Sequence, residues 1–275
     1  MPAISNFEAI MLGIIQGLTE FLPISSTAHL KIIPLLFNMA DPGAAYSAVI
    51  QLGSVLAVLV YFFPDIQKLA IGSLKAIQTK NLESYELRLS ASIIFGTIPI
   101  CIIGLCLKHL LESDTSPLRA TATIAFASIF MGLFLLLAEK LGKRNRMITN
   151  LGLKDGILTG FGQCLALIPG CSRSGSTITV ALLLNIKRAD AARFSFLLGI
   201  PAVLLGGLLE LKTMIEQPDL TANISSLIIG FIISAVVSYA SIAFLIKYLM
   251  KHSTIVFVIY RIIFGISIFF LLGNK

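Results

Sequence analysis

The sequence predicts an all-α integral membrane protein made of two related halves. Of its 275 residues, 56% are hydrophobic and 13% are charged, whereas a soluble domain would carry about twice that charged fraction. Apolar segments long enough to span a bilayer recur along the chain, which favours a multi-pass membrane protein. Two shorter apolar segments are each interrupted by a proline that hydroxyl residues follow. The net charge of +7 reflects loop charges on one side of a membrane, so no nucleic-acid partner is predicted.

The first elements are two half-helices, predicted at residues 7–24 and 30–37. Pro23 should end the first, because proline lacks an N–H donor and clashes with the preceding turn. The second is only about two turns long, too short to cross a bilayer. Three hydroxyl residues can cap its start: Ser25, Ser26 and Thr27. We therefore expect a re-entrant hairpin whose break leaves free N–H groups and a positive dipole end, which suits an anion.

Three membrane spans are predicted after this hairpin, at residues 48–63, 89–107 and 121–138. Pro64 and Asp65 are predicted to end the first of them, with a loop on the inside after it, and the second contains Pro99. A loop at residues 139–154 follows, and it is the most basic loop in the chain. These elements complete the first half of the protein.

The second half repeats this order. Residues 160–177 again contain an apolar half-helix with a Gln, then Pro169, then a cluster of Ser and Thr. The segment 193–201, with its Gly-Ile-Pro, resembles the segment 88–99. Three further spans are predicted, at 194–211, 227–246 and 255–272. The chain is thus predicted to form a single transmembrane domain of two repeats, each with one re-entrant hairpin and three transmembrane helices, at about 1–139 and 155–275.

The loop charges predict how these repeats lie in the membrane. With the 139–154 loop in the cytoplasm, most basic residues fall on the inside, as the positive-inside rule requires. Five remain outside: Lys31, Lys108, Arg119, Lys212 and Lys275. Arg173 and Arg261 fall at membrane depth. This arrangement puts both termini outside and inverts the two repeats, so that the two hairpin tips can meet near the midplane.

The two tips together predict an anion-binding site. The first carries Gln16, Glu20, Ser25, Ser26, Thr27 and His29, and the second carries Ser172, Arg173, Ser174, Ser176 and Thr177. Two helix N-termini, an arginine fork and a ring of hydroxyls favour phosphate or another oxyanion as the ligand. In the second tip, glycines on either side of Arg173 allow the backbone to approach that ligand closely.

Glu20 and His29 indicate catalysis in addition to binding. A carboxylate repels a phosphate, so Glu20 is expected to act as a general acid or base, or to hold a divalent cation. His29 follows Ser26 by three residues, which allows its imidazole to reach a hydroxyl or the transferring phosphoryl group. Purely structural roles are the alternatives: helix caps for the hydroxyls, an interior site for His29, and a Glu20–Arg173 ion pair. Arg261 is expected to snorkel to the membrane interface or to pair inside the protein, and not to touch substrate.

At these motifs the sequence resembles the bacitracin-resistance type of undecaprenyl-diphosphate phosphatases. The motif (E/Q)-x-x-x-E runs from Gln16 to Glu20, and P-x-S-S-T follows at 23–27, with His29 after it. In the second half, P-G-x-S-R-S-G-x-T lies at 169–177. The stretches 49–54, 194–201 and 260–261 also fit, so the resemblance covers nearly the whole chain. Some family members have Glu where this chain has Gln16, which leaves Glu20 as the acid of that motif.

This resemblance implies a membrane hydrolase that converts undecaprenyl diphosphate to undecaprenyl phosphate and inorganic phosphate. Such an enzyme recycles the lipid carrier of peptidoglycan synthesis and confers resistance to bacitracin. By position, Glu20, Ser26, His29 and Arg173 would be the catalytic residues, with the nucleophile either Ser26, His29 or water. The substrate-binding residues would be Gln16, Ser25, Thr27, Ser172, Ser174 and Thr177.

The resemblance also bears on metal, location and assembly. Mg²⁺ or Ca²⁺ would bridge the diphosphate, and because the tips offer one carboxylate, Glu20, a cation that stays on the substrate is favoured over a dedicated protein cage. The implied location is the bacterial cytoplasmic (inner) membrane, with the active site open to the outer, periplasmic face. A homodimer is left open.

Two other functions fit parts of the pattern. Inverted repeats with broken helices are the architecture of secondary transporters, so a polyprenyl-phosphate flippase or an anion transporter is the main alternative. A carrier does not need the combination of Glu20, Ser26 and His29, which distinguishes the two. A purely structural membrane protein would leave the charged groups in the broken helices unexplained.

Overall fold

The computed structural model of the chain describes residues 4–37, 39, 41–107, 110–111, 116–215 and 220–272. Lys108 and Lys275, both predicted outside, lie beyond the described residues. The described part contains no β-strand, only an isolated bridge between Arg146 and Ile186. Its helices are α1 (Asn6–Thr19), α2 (Ser26–Leu36), α3 (Gly43–Tyr61), α4 (Phe63–Gln78), α5 (Tyr85–Cys106), α6 (Thr121–Leu141), α7 (Leu153–Cys164), α8 (Arg173–Leu183), α9 (Arg188–Ile215), α10 (Leu220–Leu249) and α11 (Ile255–Leu272).

Four of these helices, α5, α6, α9 and α10, are long and apolar enough to cross a bilayer. The bent pair α3 and α4 makes a fifth span if it is counted as one, and α11 is a shorter apolar helix. Large apolar side chains are exposed along these helices, as a surrounding lipid phase allows. The prediction of an all-α integral membrane protein is confirmed.

The helix α4 corrects the prediction of a plain loop after the span at 48–63. The chain bends by 67° between α3 and α4, at Phe62, and then continues as a helix to Gln78. Pro64 lies in the first turn of α4, where its missing N–H costs no intrahelical hydrogen bond. Leu69 and Ala76 are buried, and α4 packs against α5. A proline that ends one helix can therefore also start the next.

Both predicted hairpins are present as broken helices. The first consists of α1 and α2, joined by a turn at 20–25, and the second of α7 and α8, joined by residues 165–172. Within each hairpin the two short helices pack against each other. The turns contain Pro23 and Pro169, as the sequence predicts.

Each hairpin also packs against a long helix that is distant in sequence: α1 lies on α10, and α7 lies on α5. The contact between α7 and α5 is close enough to require glycine, since a Cβ atom at Gly160 would lie 2.0 Å from the carbonyl oxygen of Gly96. The segments 88–99 and 193–201, which resemble each other in sequence, pack differently, because α5 lies mainly on α7 and α9 mainly on α3. The inverted relation of the two repeats stays a prediction.

The basic loop at 139–154 is anchored by ion pairs. Glu139, at the end of α6, accepts hydrogen bonds from Arg144, Arg188 and Thr254, so this one carboxylate joins the loop to the starts of α9 and α11. Arg146 makes two hydrogen bonds to Asp155, of 2.7 and 2.8 Å, and that hydrogen bonding raises the pKa of Arg146.

Candidate active site

The two hairpin turns share one backbone motif. Ser25 and Ser172 are the N-cap residues of α2 and α8, with φ of 77° and 68°, a region that non-glycine residues rarely adopt. Each N-cap hydroxyl accepts a hydrogen bond from the N–H three residues later, at 3.4 Å for Ser25 and 3.1 Å for Ser172. Each also lies beside the hydroxyl two residues on, Thr27 at 3.1 Å and Ser174 at 3.2 Å. One serine of each cluster, Ser25 or Ser172, therefore caps its helix, whereas Ser26, also predicted as a possible cap, bonds to Glu20 instead.

The structure brings the two tips into direct contact. The Ser174 hydroxyl lies 3.0 Å from the carbonyl oxygen of Leu22 and 3.3 Å from that of Glu20. Arg173 Nη2 donates a hydrogen bond of 3.2 Å to Glu20 Oε1. The predicted meeting of the tips is confirmed, and the ion pair weighed as a structural alternative exists.

The buried Glu20 carboxylate is the centre of the site. Its Oε2 accepts hydrogen bonds from Ser26 Oγ at 2.7 Å and Gln16 Nε2 at 2.9 Å. Its Oε1 accepts from Gln51 Nε2 at 3.0 Å as well as from Arg173. Both carboxylate oxygens therefore act as hydrogen-bond acceptors, and the guanidinium of Arg173 lies beside one of them. Glu20 can act as a base toward Ser26, its shortest contact.

Gln51 is a site residue that the sequence analysis did not single out. It lies on α3, in the 49–54 stretch that fits the family, and that position was the available signal. Ser54, on the same helix, is 3.3 Å from Gln16 Nε2 and also bonds to Ser238 of α10 at 2.8 Å. The helix α3 thus supports the Glu20 carboxylate at the same oxygen that Arg173 of the second hairpin reaches.

The Arg173 guanidinium lies against the backbone of Gly199. A Cβ atom at Gly199 would be 1.3 Å from Arg173 Nη1, so only glycine leaves room for this side chain. Thr177 is buried behind it, with its hydroxyl 2.5 Å from that of Ser195 and 2.8 Å from the Arg173 carbonyl oxygen. Thr177 therefore joins α8 to α9 through its hydroxyl, and its contact with substrate stays a prediction.

His29 is buried, and both of its ring nitrogens have partners. Nδ1 lies 2.7 Å from the Ser25 carbonyl oxygen, which can only accept, so Nδ1 carries the proton. Nε2 lies 2.6 Å from the Tyr260 hydroxyl, and the ring stacks on Phe264 at 4.2 Å. The predicted reach from His29 to the Ser26 hydroxyl is not what the structure has, since Ser26 bonds to Glu20.

A cavity of about 260 Å³ adjoins this centre. Of the predicted site residues, Gln16, Ser26 and Thr27 line it, together with Gln51. Glu20 and Arg173 lie behind this lining and border a much smaller space that Gly199 also lines. Five of the predicted catalytic and substrate-binding residues line neither space: Ser25, His29, Ser172, Ser174 and Thr177. The accessible hydroxyls of the site are thus those of Ser26 and Thr27.

Arg261 joins the two turns through its hydrogen bonds. It is buried and donates hydrogen bonds to carbonyl oxygens of the first turn, at Pro23 (3.0 Å), and of the second, at Gly170 (2.7 Å) and Cys171 (3.2 Å). It also donates to Ser128 of α6 at 3.1 Å. The predicted internal pairing of Arg261 is confirmed, with carbonyl groups as its partners.

The described residues do not form a ready metal site. No group of three or more His, Cys, Asp or Glu side chains lies close enough together within the described ranges. Glu20, the carboxylate that could serve, already receives hydrogen bonds on both oxygens. This donor set does not fit a dedicated cage for Mg²⁺ or Ca²⁺, which prefer several oxygen ligands.

Comparison with known proteins identifies the family. The family model of the bacitracin resistance protein BacA matches residues 9–267. A protein of Gloeobacter violaceus named undecaprenyl-diphosphatase is 55% identical over 269 residues, which is 98% of this chain and 92% of that protein. A protein of the same name from Synechocystis is 53% identical over 98% of this chain and 83% of its own length, and one from Trichormus variabilis is 52% identical over 95% and 82%. The chain belongs to the bacitracin resistance protein BacA family.

Proposed function

We propose that this protein is a membrane hydrolase that converts undecaprenyl diphosphate to undecaprenyl phosphate and inorganic phosphate. The relatives reported above carry the name of this activity. The observation that supports it within the molecule is the 2.7 Å hydrogen bond from the Ser26 hydroxyl to the Glu20 carboxylate, at the wall of the cavity. A hydroxyl paired with a base is the arrangement of an activated nucleophile.

In the proposed reaction Ser26 Oγ attacks the terminal phosphorus. The Oγ–P bond forms, the bond from that phosphorus to the bridging oxygen breaks, and undecaprenyl phosphate leaves with the bridging oxygen. Glu20 takes the Ser26 proton. Water then attacks the phosphoserine, the Ser26 oxygen regains the proton from Glu20, and inorganic phosphate is released. A water molecule that attacks the diphosphate directly could use the same base.

The other contacts of Glu20 have matching roles in this scheme. Gln16 and Gln51 hold the carboxylate by its two oxygens, so that it points at Ser26. Arg173 would move its hydrogen bond from Glu20 to the phosphoryl oxygens, where charge builds up during transfer. Thr27 and the N–H groups at the start of α2 would receive the remaining oxygens.

For His29 we propose a supporting role, although it was predicted as a possible nucleophile. Its Nδ1–H donates a hydrogen bond to the Ser25 carbonyl oxygen, and its Nε2 lies beside the Tyr260 hydroxyl. Ser25 is the strained N-cap, so His29 stabilises the backbone that presents Ser26 and Thr27. Ser172, Ser174 and Thr177 act in the same way on the Arg173 side.

The surroundings of the site follow from the same proposal. The prenyl chain would lie among the lipid-facing helices, and a divalent cation would arrive on the diphosphate with most of its water. We place the protein in the cytoplasmic membrane of a bacterium, with the cavity open to the outer face and both termini outside, because the loop charges then obey the positive-inside rule.

The test is phosphate release from undecaprenyl diphosphate by the purified protein in detergent. We expect Ser26→Ala, Glu20→Gln and Arg173→Ala each to lower kcat by about 10²-fold or more, as the loss of a nucleophile, a base or a charge-stabilising group does. Ser73→Ala is the matched control, because Ser73 bonds to Ser90 between α4 and α5, away from the cavity.

Two results would contradict the proposal. If Ser26→Ala keeps the activity of Ser73→Ala, the Ser26–Glu20 pair is not the reacting pair. If the wild-type protein releases no phosphate but moves a polyprenyl phosphate across vesicle membranes, the chain is a flippase, for which Arg173 and the helix N-termini would suffice.

A further inference from the structure

The cavity beside the active site has a second, charged end. Its buried end is lined by Gln16, Ser26 and Gln51, which surround the Glu20 carboxylate. Its other end is lined by charged side chains that are only partly buried: Lys31, Asp41, Arg119 and Glu210. One continuous space therefore connects the proposed reacting group with a set of charges that the mechanism above does not use.

Lys31 extends the polar line that begins at Ser26 and Thr27. It follows Thr27 by four residues on α2, so the two side chains lie one above the other on the same helix face. Lys31 makes an ion pair with Asp41, which lies just before α3. The Gly43 N–H donates to the second oxygen of Asp41 at 3.0 Å.

Asp41 is an ionised carboxylate that pairs with Lys31 when no substrate is bound. Burial raises its pKa, but the hydrogen bonds from Lys31 and Gly43 and the charge of Arg119 outweigh that effect, so the net pKa lies below the ordinary value. Lys31 and Arg119 thus both act on the same carboxylate. A ligand with more negative charge than one carboxylate could replace it between these two cations.

The proposed substrate needs such cations. A diphosphate carries two phosphate groups, and Arg173, the cation behind the buried end of the cavity, is shared with Glu20. Among the described residues that line the cavity, the basic ones are Lys31 and Arg119. If the terminal phosphate reaches Ser26, the phosphate next to the prenyl chain must lie toward the charged end.

We propose that Lys31 and Arg119 form a second phosphate subsite, which binds the phosphate that stays on the lipid and for which Asp41 stands in when no substrate is bound. This inference rests on the proposed function. During the reaction the lipid phosphate is the leaving group, and two cations beside it stabilise the charge that its bridging oxygen gains. The subsite also makes a diphosphate a better ligand than a monophosphate.

Three substitutions test the subsite: two are expected to raise KM and one is expected to lower it. Lys31→Gln and Arg119→Gln remove one cation each and are expected to raise KM for undecaprenyl diphosphate about tenfold, the loss of one charge-assisted hydrogen bond. Asp41→Asn removes the competing charge, keeps an acceptor for Gly43, and is expected to lower KM. Lys31→Arg keeps the positive charge and should therefore have a KM close to that of the wild type. Lys212→Gln is the matched control, because Lys212 is an exposed basic residue that does not line the cavity.

A binding measurement separates this subsite from the hydrolytic function. Methylene diphosphonate, a diphosphate that cannot be hydrolysed, is titrated calorimetrically into each variant, with inorganic phosphate as the single-phosphate probe. We expect Lys31→Gln and Arg119→Gln to weaken diphosphonate binding about tenfold and phosphate binding much less. If the protein releases no phosphate but the variants still rank in this order by diphosphonate affinity, the subsite is supported and the hydrolase proposal fails.

The subsite is refuted if Lys31→Gln behaves like Lys212→Gln. It is also refuted if phosphate and diphosphonate weaken equally, which would make the two cations a general attraction for anions. A weaker diphosphonate affinity in Asp41→Asn would mean that Asp41 itself contributes to the ligand site, for example through a divalent cation, and would contradict its role as a stand-in.

Discussion

The Glu20 carboxylate shows how a charge can be kept inside a membrane protein. Each oxygen accepts two side-chain hydrogen bonds, and the donors come from α1, α2, α3 and α8. An unpaired buried carboxylate would be very costly, and these four donors offset that cost. They also fix its direction, which a base requires if it is to take the Ser26 proton.

His29 provides the prediction at this scale. Because its Nδ1–H is used on the Ser25 carbonyl oxygen, an asparagine side-chain N–H can take over that hydrogen bond. We therefore expect His29→Asn to keep kcat for phosphate release within about tenfold of the wild type, and His29→Ala to lose about 10²-fold. Phosphate release at saturating substrate measures both variants. If His29 instead forms a bond to phosphorus, the asparagine and alanine variants will be equally inactive.

At the scale of the elements, broken helices are what make the site possible. In a continuous helix the backbone N–H groups are hydrogen-bonded to carbonyl groups of the same helix. At each break a new helix begins, and its first N–H groups have no such acceptor and can bind a ligand. The N-cap residues Ser25 and Ser172 adopt positive φ angles at these breaks, and hydrogen bonds from backbone N–H groups of the first helical turn to their hydroxyls hold them there. The position of each turn depends in turn on how its half-helix is packed.

Gly160 tests that dependence. A Cβ atom there would meet the Gly96 carbonyl oxygen at 2.0 Å, so Gly160→Ala must push α7 away from α5 and move the turn that leads to Arg173. We expect the thermal unfolding midpoint in detergent to fall by several degrees, since overpacking costs about 1–3 kcal/mol, and phosphate release to fall with it.

The matched control is Gly206→Ala. Gly206 lies within α9, and nothing is within 4 Å of an added Cβ atom. Alanine is favoured over glycine in a helix by about 1 kcal/mol, so this variant should be as stable as the wild type or slightly more stable. If both variants unfold at the same temperature, the contact between α7 and α5 is not as close as described.

The sequence predicts these elements well and their contacts poorly. Hydropathy locates the long helices, and Pro23 and Pro169 locate the breaks, because both signals act within a few residues. The helix α4 was missed because a proline was taken as an end only. The contacts that Gln51 and Ser26 make with Glu20 could not be foreseen, since they depend on how α3 and the two hairpins pack together.

At the scale of the whole molecule, the active site is an interface between the two halves of the chain. Glu20 and Ser26 belong to the first half, and Arg173 belongs to the second. The halves are joined at that interface by Arg261 on α11, which contacts both turns and α6. Arg261 lines neither space beside the site, so it acts on the reaction by positioning the turns.

Arg261→Lys tests this joint, with Arg261→Met beside it. Lysine keeps the charge but lacks the planar fork that reaches Pro23 and Gly170 together, so one turn loses its anchor. We expect kcat to fall at least about tenfold while KM stays nearly unchanged, because the substrate surface is intact but Ser26 and Arg173 are misaligned. Arg261→Met leaves several buried carbonyl groups without a donor, at about 1–3 kcal/mol each, and should also unfold at lower temperature. A wild-type kcat in Arg261→Lys would mean that the two turns keep their alignment without this arginine, through contacts such as that between Ser174 and Leu22.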